Sequence, residues 1–219
     1  MLNFTRAKKE ERDLLLSLTS HTINGASAYS YLFTHGDCDE AAFFCGRNKE
    51  GEIKSLVFND GDEFIRAYGD EFPDFLPLNE KCLMVYPGTE CPRNDSRQIT
   101  GTELLNVYRL LGGGRLSFDD ERRYVLRLKN VNAGLSAVFG IFDDEGLAST
   151  AAVGAMNLKY GLIADVFTHP DFRCRGYASA VLRSCMAFIL SNGRIPYLRC
   201  EEAMRPYYEK AGFIYYGKM

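Results

Sequence analysis

Residues 165–190 constrain this chain more than any other stretch. A short apolar strand, Asp165-Val166-Phe167-Thr168, meets His169-Pro170, and proline brings no N–H with which to continue a ladder. A basic turn with one glycine follows, Arg173-Cys174-Arg175-Gly176. Beyond it Ala178, Val181, Leu182, Cys185 and Ile189 recur at helical spacing until Asn192-Gly193 offers a left-handed stop. Strand, basic glycine turn and helix form the layout that holds a phosphate. The first turn of a helix has backbone N–H groups without partners, and the macrodipole adds partial positive charge there. Gly176 lacks a Cβ, so an anion can come close to the backbone. Ala178 is small enough for the helix start to pack on the strand, and Arg173 and Arg175 add charge-assisted donors. Taken alone, the turn reads equally well as an ordinary connection with two solvated arginines.

The spacing separates these readings. Arg173, Gly176 and Ala178 follow a strand ending Val166-x-Thr168-x-Pro170, and this Arg-x-x-Gly-x-Ala pattern resembles the acyl-CoA-binding signature of the GNAT superfamily of N-acyltransferases. The likeness is nearest to the branch of glycine-N-acyltransferase-like enzymes. A second element, Arg205-Pro206-Tyr207-Tyr208-Glu209-Lys210-Ala211-Gly212-Phe213, resembles the family's penultimate helix and last strand, usually Leu-Tyr-Glu-Lys-x-Gly-Phe. Two motifs in the right order carry the resemblance over roughly residues 116–219; the first half matches far less well. The resemblance implies an α/β (α+β) fold with a mixed, mostly antiparallel sheet flanked by helices.

It also implies a site. The backbone of Val166, Phe167 and Thr168 would pair with a pantetheine arm where the central strand splays from its neighbour. The pyrophosphate would lie over Arg173, Cys174, Arg175, Gly176, Tyr177, Ala178 and Ser179. Tyr208 falls on the family's leaving-group acid, and a phenol near pKa ~10 suits protonation of a departing thiolate near ~8.5. As one tyrosine of 13, it also reads as a packing residue. Two positions depart from the family: Glu201 stands where many relatives carry Asn, and Leu162 where some carry a glutamate base. Asp165, Glu201 and Glu202 are the nearby carboxylates, each readable as structural. His169 stands before Pro170 where the family varies freely. Cys174, between two arginines at a helix start, is placed to favour its thiolate.

Composition narrows the alternatives. The 219 residues are 46% hydrophobic and 25% charged, which suits an ordinary globular protein, and are ample for one large domain or two small ones. A net charge of −3 gives no footprint for nucleic acid or a membrane surface. No apolar run approaches a transmembrane length, and the N-terminus lacks a signal peptide's apolar core, so a cytoplasmic protein is expected. Seven cysteines without paired spacing fit reduced thiols. His35 with Cys38, and Cys82 with Cys91, are too sparse for zinc, and no metal is expected.

Along the chain, residues 5–18 read as an amphipathic helix. Strands are expected at 43–45, 53–58, 64–66 and 83–86, with turns at Asn48-Lys49-Glu50-Gly51 and Asn59-Asp60-Gly61-Asp62. Thr100 or Thr102 caps a helix to Leu111, and Gly112-Gly113-Gly114 is the strongest boundary signal. Ser117 starts a helix towards Asn130. A hairpin over 135–142 and 147–156 feeds the central strand 162–168. A strand at 196–200, a helix at 203–210 and a strand at 213–216 close the chain. Residues 1–115 read as a non-catalytic half, a degenerate repeat that buries the sheet and walls the cleft; residues 116–219 read as the acyl-CoA-binding half. The expected activity is acyl transfer, most simply acetyl transfer from acetyl-CoA, to a primary amine of a small molecule or amino acid. Without a base at Leu162, weakly basic α-amines are expected to be preferred over lysine ε-amines. The alternative is a catalytically silent acyl-CoA-binding regulatory protein.

Overall fold

A computed structural model describes residues 2–35, 43–59, 64–74, 76, 81–93, 95–144 and 146–218. The chain opens with β1 (Asn3–Arg6), α1 (Arg12–Thr19), α2 (Ala26–His35), β2 (Phe43–Arg47), β3 (Ile53–Asn59) and β4 (Phe64–Tyr68). These strands form an antiparallel sheet in the order β1-β2-β3-β4. The helix expected over 5–18 is therefore split. Phe4 and Thr5 pair with Gly46 and Cys45 instead, a tertiary pairing that outweighs the local helical pattern. α2 has no counterpart among the expected elements, because its run of Ala, Ser and Tyr carries little polar–apolar contrast. Asp60, Gly61 and Asp62 of the turn expected after Asn59, and the residue Cys38, lie outside the described residues.

Then come β5 (Cys82–Val85), β6 (Arg97–Ile99), α3 (Leu104–Leu111), α4 (Phe118–Asn132), β7 (Ala137–Asp143), β8 (Gly146–Met156) and β9 (Tyr160–Thr168). α5 (Tyr177–Ser191), β10 (Ile195–Cys200), α6 (Arg205–Lys210) and β11 (Ile214–Lys218) complete the chain. The second sheet runs β11-β5-β10-β9-β8-β7-β6, and among its described pairings only β9 with β10 is parallel. Strand, two helices and three strands recur in both halves: β1-α1-α2-β2-β3-β4, then β6-α3-α4-β7-β8-β9. That is the mixed, mostly antiparallel fold expected, with its first part repeated. Ser117 caps α4 as the sequence suggested, accepting from the Asp120 N–H at 3.2 Å while the Asp120 carboxylate accepts from the Ser117 N–H at 2.8 Å. Thr100 precedes α3 without a side-chain capping bond.

The glycine run at 112–114 is a turn between α3 and α4, not a break between sheets. β5, β6 and α3 precede it in sequence, yet both strands join the second sheet. β5 sits between β10 and β11, antiparallel to each. One face of this sheet is covered by α5, whose Val181, Leu182, Cys185, Met186 and Ile189 are buried against Phe139, Val153 and Ile163. Each such large side chain contributes about 1.5–3 kcal/mol by burial. The first half supplies cover on the opposite face, where Ala26 of α2 packs with Leu83, Ala155, Leu162 and Tyr197. The halves are also pinned by polar bonds. Buried Asn157 donates to the carbonyls of Thr19 and Thr22, both at 2.8 Å, and Ser30 donates to the Met156 carbonyl at 2.9 Å.

Candidate active site

β9 and β10 pair only from Tyr160↔Ile195 to Ile163↔Leu198. Beyond that point β10 remains hydrogen-bonded to β5, through Arg199↔Leu83 and Cys200↔Cys82, while β9 remains on β8, through Thr150↔Phe167 and Ser149↔Thr168. The strands part, and residues 164–168 have no ladder partner on the β10 side. Val166, Phe167 and Thr168 line this gap, all partly buried. Ser149 fixes them from the other edge, its hydroxyl 3.0 Å from the Phe167 carbonyl and 2.8 Å from the Thr168 hydroxyl.

The divergence begins at a bulge. Ala152 faces Ala164 and Thr150 faces Phe167, so two steps on β8 oppose three on β9. Asp165 takes up the extra length at φ +53°, in the left-handed region that L-residues seldom occupy. Its carboxylate accepts from Arg127 of α4 at 2.6 Å. Burial works against the Arg127 charge, but Asp165 and the Tyr108 hydroxyl more than offset it, so the guanidinium stays ionised.

Past the gap, Pro170–Phe172 make one 3-10 turn, with His169 as its cap: the imidazole Nδ1 accepts from the Asp171 N–H at 3.4 Å. The basic turn then exposes Arg173, Cys174, Arg175 and Gly176. Cys174 and Gly176 have φ +61° and +80°. Left-handed residues in such a turn aim successive N–H groups to one side, the arrangement of an anion nest. Nothing lies within 4 Å of the place a Gly176 Cβ would take. The first helical bond of α5 runs from the Ala180 N–H to the Gly176 carbonyl at 3.1 Å, so the amides of Tyr177, Ala178 and Ser179 precede the ladder. The two arginines are shaped by this turn: Arg173 donates to the Thr168 carbonyl at 3.3 Å and Arg175 to the Asp171 carbonyl at 3.2 Å.

Tyr208, from α6, packs on the α5 face of the sheet. It is 8% exposed, edge-on to Tyr207 and Phe213. Burial, with Cys200 and Tyr207 beside it, pushes its pKa up to about 12, so it holds its proton throughout the physiological range. Tyr207 is half-buried, and its hydroxyl lies 3.4 Å from that of Ser179 in the first turn of α5. Of the carboxylates considered, Asp165 is held by Arg127. Glu201 is exposed, and Glu202 accepts from the Cys82 thiol at 3.0 Å and lies 3.5 Å from Arg205. Cys82 is buried and Cys91 reaches the Ala187 carbonyl at 3.6 Å. Among the described residues no group of three or more His, Cys, Asp or Glu side chains could hold a metal ion. No described helix is long and apolar enough to cross a membrane.

On the face opposite α5, the gap opens into a cavity of about 350 Å³ between the two sheets. Ser27, Tyr31 and Phe58 of the first half wall it. Tyr108, Arg123, Arg127, Asn130, Leu162, Asp165 and Arg199 come from the second sheet and its helices, and Lys81 from the approach to β5. The sequence suggested a cleft walled by the first half but not which side chains line it, nor the role of Arg127. Arg123, Arg127 and Asn130 do share one face of α4 by spacing, a polar stripe where a covering helix usually carries apolar residues. Nothing local, however, points from that stripe to Asp165, 38 residues away.

The whole chain superposes on an acetyltransferase of the GNAT family from Colwellia psychrerythraea. The TM-score is 0.60 at 13% identity, over 99% of this chain and 97% of the other. A tandem GNAT protein from the clavulanic acid biosynthesis pathway matches at TM-score 0.57 and 13% identity, over 100% and 96% of the two chains. A protein from Novosphingobium aromaticivorans assigned to the same family matches at TM-score 0.51 and 20% identity. That match covers 65% of this chain and 62% of the other, so this chain spans less than two thirds of that relative. At such identities these likenesses concern the fold. No curated protein sequence matches. The model of the acetyltransferase (GNAT) family matches residues 102–213, which include the parted strands, the basic turn and Tyr208. By that match the chain is a member of the GNAT acetyltransferase family.

Proposed function

We propose that the protein transfers an acyl group, most simply acetyl, from acyl-CoA to the primary amine of a small molecule or amino acid. The observation that carries this reading is the meeting of two openings at one gap: the basic turn and α5 start on one side of the sheet, and the cavity between the halves on the other. The residues present fit CoA. Open space at Gly176, the amides of Tyr177, Ala178 and Ser179, and the side chains of Arg173 and Arg175 suit a pyrophosphate. The free backbone edge of Val166, Phe167 and Thr168 suits a pantetheine arm. An amine entering from the cavity would meet the thioester carbonyl where β9 leaves β10, and holding both makes the reaction nearly unimolecular. A β9 backbone N–H polarising that carbonyl would add oxyanion-type stabilisation. Tyr208, neutral and buried, is assigned the proton delivered to the leaving thiolate. The ammonium proton of the attacking amine leaves through water towards Glu201 or Asp165.

Among the described residues the cavity lining includes Lys81, Arg123 and Arg199 beside the Arg127–Asp165 ion pair, a polar lining for an acceptor amine. Tandem halves with only the second carrying the basic glycine turn support the glycine-N-acyltransferase-like branch. The six described cysteines are all free thiols, in keeping with a cytoplasmic setting.

The test is release of free thiol from acetyl-CoA with amines of graded pKa at pH 7 and 9. Amino-acid α-amines are expected to react in preference to lysine ε-amines at pH 7, because about one lysine side chain in ~10³ is neutral there. CoA binding with no turnover on any amine would favour the silent regulatory reading. Strong preference for lysine side chains at pH 7 would reveal a base other than those named.

A further inference from the structure

Two bulges lie back to back in the β8–β9 ladder. On β9 the extra residue falls at Asp165; on β8 it falls at Gly154, where Val153 faces Ile163 and Ala155 faces Leu162. One guanidinium spans both. Arg127 donates to the Val153 carbonyl at 3.2 Å, to the Ser136 hydroxyl at 3.4 Å and to the Asp165 carboxylate at 2.6 Å. Gly154 lets the two strands approach: a Cβ there would stand 3.1 Å from the Ala164 Cβ, with Arg127 in ordinary contact at 3.4 Å. The Arg127 side chain is 13% exposed and that of Asp165 29%.

We propose that Arg127 is a positioning residue that sets the opening between β9 and β10 by holding Asp165 in its left-handed conformation. The physical ground is that a non-glycine residue at φ +53° is unfavourable, for aspartate less so than for most, and is kept there by what its side chain is bonded to. Asp165 is the last turn of backbone before the unpaired edge of Val166, Phe167 and Thr168. Without the guanidinium, relaxation of Asp165 to negative φ would re-aim exactly those peptide groups while leaving the Tyr160–Ile163 pairing in place. The inference rests on the reading of the gap as a CoA slot.

The experiment is CoA affinity by calorimetry, together with amide hydrogen exchange of residues 164–168, in four chains: wild type, Arg127→Met, Asp165→Gly and the double variant. Arg127→Met is expected to weaken CoA binding at least tenfold and to speed exchange over 164–168, with the basic turn untouched. The double variant is expected to regain most of that affinity, because glycine holds the left-handed conformation without help and the carboxylate left unpaired by Arg127→Met is gone. A fifth chain, Arg127→Met with Asp165→Ala, also removes the unpaired carboxylate but lacks glycine's backbone freedom, so rescue by alanine equal to that by glycine would mark the pair as merely structural and overturn the inference. A folded Arg127→Met chain with CoA affinity and exchange both near wild type overturns the inference, and so does a double variant no tighter than Arg127→Met. If Arg127→Met does not fold, Arg127→Gln, which keeps a polar side chain without the charge, carries the same expectations. A wild-type chain that binds no CoA overturns the functional reading, and the exchange measurement then decides the role of Arg127 alone.

Discussion

Replacing Gly176 by aspartate tests the anion site at its most sensitive atom. The residue has φ +80° and nothing within 4 Å of a Cβ position, so the added side chain meets no clash. Asp and Asn are the non-glycine residues that tolerate the left-handed region best, which keeps the folding cost to about 1 kcal/mol. The electrostatic effect is larger. Two unit charges about 5 Å apart repel by roughly 0.8 kcal/mol in bulk water and roughly 3 kcal/mol at an effective dielectric of ~20. Against the two charges of a pyrophosphate this amounts to about 2–6 kcal/mol, a loss of roughly 30-fold to 10⁴-fold in CoA affinity. Gly176→Asn has nearly the same shape and backbone preference without the charge, so it isolates the Coulombic part. Calorimetric titration of both variants at low and high salt is the assay. Gly176→Asp should bind far more weakly than Gly176→Asn, and added salt should narrow the difference. Equal affinities for the two, or affinity unchanged from wild type in a folded Gly176→Asp chain, would refute a phosphate site at this turn.

Tyr208→Phe should lower kcat by about 10²-fold with CoA affinity little changed, and a change confined to KM would assign the ring to packing. The same phenol shapes stability against pH. Its folded pKa is raised to about 12 by burial first, then by Cys200 and Tyr207. Its stabilising contribution is therefore intact below the unfolded value near ~10 and lost as pH rises towards 12. Denaturant melts at pH 9 and 11 should show a drop that Tyr208→Phe flattens, and an equal drop in both chains would refute the assignment. Residues 116–219 expressed alone lack β5, β6 and α3 and should aggregate; a cooperative melt with native CoA affinity would show that the second half is self-sufficient.

What the sequence made legible was local. Gly176, Ala178 and the apolar spacing of α5 announce a helix on a glycine turn. Ser117 with Asp120 announces the start of α4, and the alternation around residues 135–156 announces a hairpin. Each signal lies within a turn or two of the structure it specifies. The elements that escaped are those decided by partners far along the chain. β1 is a strand because β2 lies beside it. β6 is three residues that pair only because β7 offers an edge, Ile99 facing Val138. The cavity gathers side chains from both halves, and its Arg127–Asp165 pair joins a helix face to a bulge that no periodicity forecasts. Breaking such a buried pair on one side alone typically costs about 3–5 kcal/mol, yet Arg127 does not stand out in the sequence, and Asp165 does so only as one of three nearby carboxylates.

The gap needs two anchors, and the two halves of the chain supply one each. A parallel pair such as β9–β10 would ordinarily continue its slanted ladder to the ends of both strands. Here β9 is turned away by its bulge and stays on β8, whose Ser149 hydroxyl reaches Phe167 and Thr168. β10 is kept from following because its other edge is bound to β5 as far as Cys200↔Cys82. β5 belongs in sequence to the first half, ahead of β6 and α3. Asn157, buried against the carbonyls of Thr19 and Thr22, fixes that half to the β8–β9 turn at the opposite end of the same strands. The first half thus does more than cover a sheet face: through β5 it holds one lip of the opening that Arg127 and Asp165 shape from the other side. A repeat without a basic glycine turn of its own is retained, on this reading, because the turn in the second half has nothing to open onto without it.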